Sequence, residues 1–170
     1  MNHVMIDLET LGSTPGCAIL SIGAVEFDPV NLALGKAFYG VVSLQSCLAK
    51  GLSVEASTFY WWMKQSEQAR NAITEWTFNI DQALMSLNHY LPADCYVWSH
   101  GSSFDLAVLS VAYERCGQVK KWAFRNERDT RTVLDLAGMK MGQAEGAHHA
   151  LNDAKHQARV IMQALRKIHG

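Results

Sequence analysis

Residues 3–10, read as His-Val-Met-Ile-Asp-Leu-Glu-Thr, form an apolar run that takes in two carboxylates, Asp7 and Glu9, before it ends. The run predicts a buried strand. Side chains at i and i+2 of a strand point to one face, so the two carboxylates project together. Adjacent acids in a mainly apolar strand repel, and burying them is costly unless a cation joins them. Taken alone, the pair also fits a frayed strand end.

The segments that follow narrow the architecture. Residues 18–27 predict a second strand stopped by the Asp28-Pro29 turn, and residues 36–43 a third. Their short connections predict antiparallel neighbours. Ser57 is placed to cap a helix over 58–65, and Ser66 with Glu67 to start another through residue 73. Residues 79–91 carry apolar side chains at helical spacing and stop at Pro92. Residues 95–99 predict a buried strand, 104–116 an amphipathic helix, 122–124 a last strand, 130–139 a helix and 150–168 a long final helix. The order predicts an α/β layer fold with helices packed on a mixed sheet. With 170 residues and no repeat, low-complexity tract or linker, the expected organisation is one domain, 1–170.

Two later segments also place acids beside apolar elements. Asp105 follows the small-residue loop 99–103, where Ser102 or Ser103 could cap the next helix and Asp105 could serve as a first-turn charge. His148 and Asp153 lie five residues apart. Within one helix that spacing would put them ~140° apart, at ~100° per residue. They converge only if His148 lies on a loop, which Gly146 favours, and Asp153 in the first turns of the helix. An exposed polar helix start is the alternative. Together, Asp7, Glu9, Asp105 and Asp153 are hard oxygen donors without thiolates, which suit Mg²⁺ or Mn²⁺ and not structural zinc. Two such ions ~3.5–4 Å apart can hold a scissile phosphate. An imidazole beside them is a suitable general base near neutral pH.

This set of Asp-x-Glu, Asp and His-x-x-x-x-Asp resembles the DEDDh exonucleases of the RNase H-like fold, the DnaQ superfamily, over essentially the whole chain. Residues 57–66 resemble phage DexA-type exodeoxyribonucleases, and 128–132 that group together with some small bacterial 3′-5′ exoribonucleases. The resemblance implies a mixed five-stranded sheet flanked by helices on both faces. It implies a metal-dependent 3′-5′ exonuclease that releases nucleoside 5′-monophosphates from single-stranded 3′ ends. Asp7 would bridge two divalent ions, Glu9 and Asp153 would complete the first site, and Asp105 would support the second largely through water. His148 would deprotonate the attacking water; His149 is four residues from Asp153 where the family has five. Thr10 and Leu11, with Gly12, Trp62, Phe104 and Arg131, are the expected substrate contacts. His100 stands where relatives often carry another polar residue. Many relatives are homodimers.

Aromatic faces hold unpaired bases, so one of Trp61 and Trp62 is expected to face the cleft, although core packing also accounts for such residues. Arg128 and Arg131 fit phosphate contacts or salt bridges to Asp129 and Asp135. The DexA-like segments favour DNA over RNA; an exoribonuclease of RNA turnover is the alternative, followed by an internally cutting nuclease of the same fold and an inactive binding module. The net charge of −1 argues against a broad DNA coat protein. It divides unevenly: residues 1–100 hold four Lys/Arg and nine Asp/Glu, residues 101–170 eleven and seven. The four scattered cysteines predict reduced, mostly buried thiols. No membrane-length apolar run is present, the first residues lack the pattern expected of a signal peptide, and a cytoplasmic location is expected.

Overall fold

The computed structural model of the chain describes residues 2–142, 144 and 148–170; the Gly146 loop position invoked above lies outside them. β1 (His3–Thr10), β2 (Ile19–Asp28) and β3 (Ala33–Val41) form an antiparallel meander. Four helices follow: α1 (Leu44–Ala49), α2 (Ala56–Met63), α3 (Glu67–Asn71) and α4 (Ile80–Tyr90). Then come β4 (Tyr96–Ser99), α5 (Asp105–Arg115), β5 (Glu127–Asp129), α6 (Thr130–Ala137) and α7 (Ala150–His169). The sheet order is β3-β2-β1-β4-β5, with β1–β4 and β4–β5 parallel. This is the expected mixed five-stranded sheet with helices on both faces.

Alternation along β1 sorts the two layers. Val4, Ile6 and Leu8 face one core, shared with Leu84 and Leu87 of α4 and Leu106 and Leu109 of α5. Met5 faces the other, with Val25, Phe27, Trp98, Leu134 of α6 and Ala154, Ala158 and Ile161 of α7. Asp7 and Glu9 continue the Met5 row by the two-residue period. They therefore project on the α7 side. Small residues on α7 allow that helix close to the sheet, and its backbone closely approaches Gly23, the β2 partner of Asp7. A Cβ at Gly23 would lie 2.2 Å from the backbone carbon of Ala150. Gly23→Ala is expected to destabilise the protein by about 2–3 kcal/mol, since backbone yields less readily than a side-chain tip. Denaturant unfolding beside the parent checks this, and an unchanged midpoint would contradict the close packing.

Several local expectations are corrected. The last strand is not 122–124. Trp122 is instead buried in the core and donates its indole N–H to Glu127 (2.9 Å), while Phe124 begins a 3₁₀ turn. The true strand, Glu-Arg-Asp, carries no apolar alternation, because an edge strand needs only backbone pairing on one side. Ser57 does not cap α2, which starts at Ala56 after Glu55. Glu55 accepts hydrogen bonds from Ser13 and Thr14 (both 2.8 Å) and so ties that helix start to the loop after β1. Neither Ser102 nor Ser103 caps α5. β3 begins earlier than residue 36. Ser66 and Asn79 do cap α3 and α4, the latter through a reciprocal capping box with Gln82. No described helix is long and apolar enough to cross a membrane, and all four cysteines are free.

Candidate active site

Three elements deliver the acids to one place. β1 carries Asp7 and Glu9 to its C-terminal end. Because β4 runs parallel beside it, the loop leaving β4 brings Asp105, the first residue of α5, to the same edge. Open α/β sheets bind ligands at such an edge. α7 crosses the sheet and presents Asp153 in its first turns. Carboxylate oxygens of Asp7, Glu9 and Asp153 lie within 4.8 Å of one another. Asp105 is outside this trio yet close enough for its charge to act on Asp7 and Glu9.

The protonation behaviour reports the strain. Burial, then the charges of Asp105 and Glu9, raise Asp7 well above the ordinary carboxyl range, against an opposing hydrogen bond from Gln157. Burial, with Asp153 and Asp105, pushes Glu9 up to about 8. Burial pushes Asp105 up to about 7, against the Leu8 amide and the Arg131 charge. Among the described residues no Lys or Arg forms a salt bridge to Asp7, Glu9 or Asp153, and this close trio of hard oxygens, held where burial opposes ionisation, fits a divalent cation.

His148 lies on the approach to α7 and not within it, the arrangement its spacing to Asp153 required. Its backbone is left-handed, with φ 69°, a conformation unfavourable for a residue with a Cβ. Asp153 offsets that cost by accepting the amide N–H groups of His148 (2.9 Å) and His149 (3.2 Å). The His148 ring meets Trp61 edge-on, 4.8 Å between centroids. His149 turns the other way and stacks on Tyr39 at 4.3 Å.

The carboxylates sit between two lobes of a cleft that share Leu8 and Glu9. The larger, about 600 Å³, is lined by Thr10, Gly12, Phe104, Trp61 and Trp62 among others. Of the two tryptophans, Trp61 is exposed, whereas Trp62 is buried and donates its indole N–H to the Thr10 carbonyl (2.9 Å). The smaller, about 350 Å³, holds Asp7, Asp153, His148, His100 and Gln157. Leu11 lines neither lobe: it is buried in the core and borders a separate apolar pocket with Leu20 and Trp62. Arg131 also stays outside both, its guanidinium packed against Gly101. Neither Arg128 nor Arg131 forms an expected salt bridge among the described residues. Arg128 donates to the carbonyls of Arg125 and Glu127 and lies over Tyr96.

Three residues here have a place at the site that the sequence did not assign them: Asp129 was expected only as a salt-bridge partner of Arg128 or Arg131, and His100 and Gln157 had no role. Asp129 accepts the Ser102 amide (2.6 Å) and hydroxyl (3.0 Å) and the Arg131 amide (2.8 Å), which pins the loop before Asp105 to the start of α6. His100 shares a hydrogen bond with Thr130 (2.8 Å) and faces the smaller lobe. Gln157 donates to Asp7 (2.7 Å); its position four residues after Asp153, on one helix face, was the available signal.

Comparison with known proteins extends the match beyond the site. The chain is 27% identical to an exodeoxyribonuclease of Enterobacteria phage T4, over 98% of this chain and 90% of that protein. Its fold is similar to the nuclease domain of 3′hExo, a DEDDh family member solved bound to rAMP, with TM-score 0.58 and 13% identity over 96% of this chain and 90% of the other. A full-length 3′-exonuclease aligns with TM-score 0.54 and 15% identity, over 96% and 80%. The family model described as the 3′-5′ exoribonuclease Rv2179c-like domain matches residues 2–165, a span that contains Asp7, Glu9, Asp105, His148 and Asp153; the chain belongs to that family and is a 3′-5′ exonuclease with the fold of the DEDDh nuclease domain named above.

Proposed function

We propose that the whole chain, 1–170, is one exonuclease domain that removes nucleotides from the 3′ end of single-stranded nucleic acid, DNA ahead of RNA, as nucleoside 5′-monophosphates. The carrying observation is the convergence of Asp7, Glu9 and Asp153 within 4.8 Å, with His148 in the same lobe and Asp105 near enough for its charge to act on Asp7 and Glu9. Asp7, Glu9 and Asp153 would hold one divalent cation and Asp7 with Asp105 a second, Mg²⁺ or Mn²⁺. When bound, such ions supply Lewis acidity and offset charge at the scissile phosphate.

The chain's own groups do the rest. His148 accepts the proton of the attacking water, whose oxygen bonds to the phosphorus of the last phosphodiester. The bond from that phosphorus to the 3′ oxygen of the preceding nucleotide breaks, its electron pair stays on that oxygen, which takes a proton from solvent to become the new 3′ hydroxyl, and the 5′-monophosphate is freed. Trp61 braces the imidazole edge-on and offers its exposed face to an unpaired base. Thr10, Gly12 and Phe104 border the larger lobe, where the terminal nucleotide would sit, with Leu11 and Trp62 as the packed wall behind them. Arg131, beside the second acidic motif, would meet a phosphate. The phage relative supports DNA; the family description supports RNA as the second reading. The free thiols accord with a reducing, cytoplasmic setting.

Matched single-stranded DNA and RNA, labelled at the 5′ end, test this with Mg²⁺ or Mn²⁺ present. A ladder shortening from the 3′ end, faster on DNA, is expected, and a closed single-stranded circle should survive. Cutting of the circle would replace the exonuclease reading with an internal one. In a separate binding titration with chelator present, Trp61→Ala should weaken affinity for the single strand roughly 5–100-fold, the value of one stacked base. Trp62→Ala should chiefly lower stability. Unchanged affinity in a folded Trp61→Ala would remove the stacking role.

A further inference from the structure

Gln157 is 7% exposed and lies one helical turn beyond Asp153 on α7. Its Nε2 donates to Asp7 Oδ1 at 2.7 Å. Its Oε1 is buried without any hydrogen-bond partner among the described residues. Most buried side-chain polar atoms in folded proteins have a hydrogen-bond partner. This one has a single partner, and that partner is the central carboxylate of the trio. Asp7 also lacks any other side-chain donor among the described residues, so nothing else of that kind holds its rotation about the Cβ–Cγ bond.

Groups that hydrogen-bond metal-binding carboxylates orient them, and their loss typically weakens metal affinity without unfolding the protein. We propose that Gln157 is a positioning residue of the acidic site: by donating to Asp7 Oδ1 it holds the carboxylate pre-oriented for the divalent cation that Asp7, Glu9 and Asp153 share. The same helix thus supplies one cation ligand, Asp153, and the orienting amide a turn later. The assignment rests on the proposed reading of the trio as cation ligands.

The test uses the full chain freed of metal with a chelator and titrated with Mn²⁺, with free ion followed by electron paramagnetic resonance. Gln157→Met keeps the length of the side chain but cannot donate, and Gln157→Asn keeps the amide but falls short of Asp7. Both are expected to unfold within a few degrees of the parent without metal, and to bind Mn²⁺ roughly 10–100-fold more weakly. In turnover, kcat should fall while KM for the oligonucleotide stays near the parent value. If either folded variant binds Mn²⁺ within about twofold of the parent, or loses only thermal stability, the positioning role is overturned. Parent protein that binds no Mn²⁺ would instead overturn the cation reading of the trio. Normal parent binding abolished by Asp7→Asn, with Gln157 variants unaffected, would overturn the Gln157 assignment alone.

Discussion

Asp7→Asn is expected to cut hydrolysis of labelled oligonucleotide roughly 10⁴-fold, the scale seen when one member of an interdependent catalytic set is removed. The same change should make the metal-free protein more stable. Asp7 stands where burial and the charges of Asp105 and Glu9 all oppose its ionised form. Asparagine has nearly the same shape and can still accept from Gln157 through its carbonyl oxygen, but it carries no charge to repel its neighbours. Relief of that repulsion should be worth about 1–3 kcal/mol near neutral pH, as when buried charge is replaced by neutral groups of similar volume. Oligonucleotide turnover and urea unfolding in chelator measure the two effects. An inactive but stabilised variant is the signature of acids held together for chemistry and not for folding. Activity within tenfold of the parent, or a loss of stability, would contradict it.

Metal-free protein should lose stability as pH rises from about 5 to 8, on the order of 4 kcal/mol from Glu9 by itself. Glu9 titrates at about 8 in the folded chain against an ordinary 4.5, and Asp105 at about 7 against 3.8. Between those values the folded form keeps protons that the unfolded chain has released. The unfolded state therefore binds fewer, and the free energy of unfolding falls with increasing pH. Most soluble proteins with ion-paired acids behave in the opposite way over the acid limb. Excess Mg²⁺ or Mn²⁺ should flatten the slope, because a cation favours the ionised carboxylates and binds only the assembled site. Unfolding midpoints at pH 5 and pH 8, with chelator and with cation, measure it. Stability that is flat or rising with pH in chelator would show that the acids are better solvated than their burial implies.

Much of the site was legible because short-range geometry constrains it. The two-residue period of a strand places Asp7 and Glu9 on one face whatever the rest of the chain does. The ~100° turn per helical residue required His148 to leave the helix if it was to join Asp153, and His148 lies on the approach to α7. The α7 and α4 helices announced themselves through long apolar periodicity and, for α4, the Asn79 cap. Residues 127–129 gave no such signal. Their strand exists only because β4 offers an unpaired backbone edge, and backbone pairing leaves no mark on side-chain pattern. The caps at Ser57 and Ser102 misled for a related reason: serine suits a helix start, but Ser102 found a better acceptor in Asp129, distant in sequence.

The sequence alone determined which residue types were present to bind a cation and which way each points along its own element. Only the tertiary structure decided which elements meet. It put Gln157 on Asp7, sent His149 to Tyr39 while His148 stayed with Trp61, and buried Trp62 while exposing its neighbour. The physical reason is range. Backbone periodicity acts over a few residues and can be read locally. Contacts across a sheet depend on how closely two elements approach, and here that distance is set by a missing Cβ at Gly23.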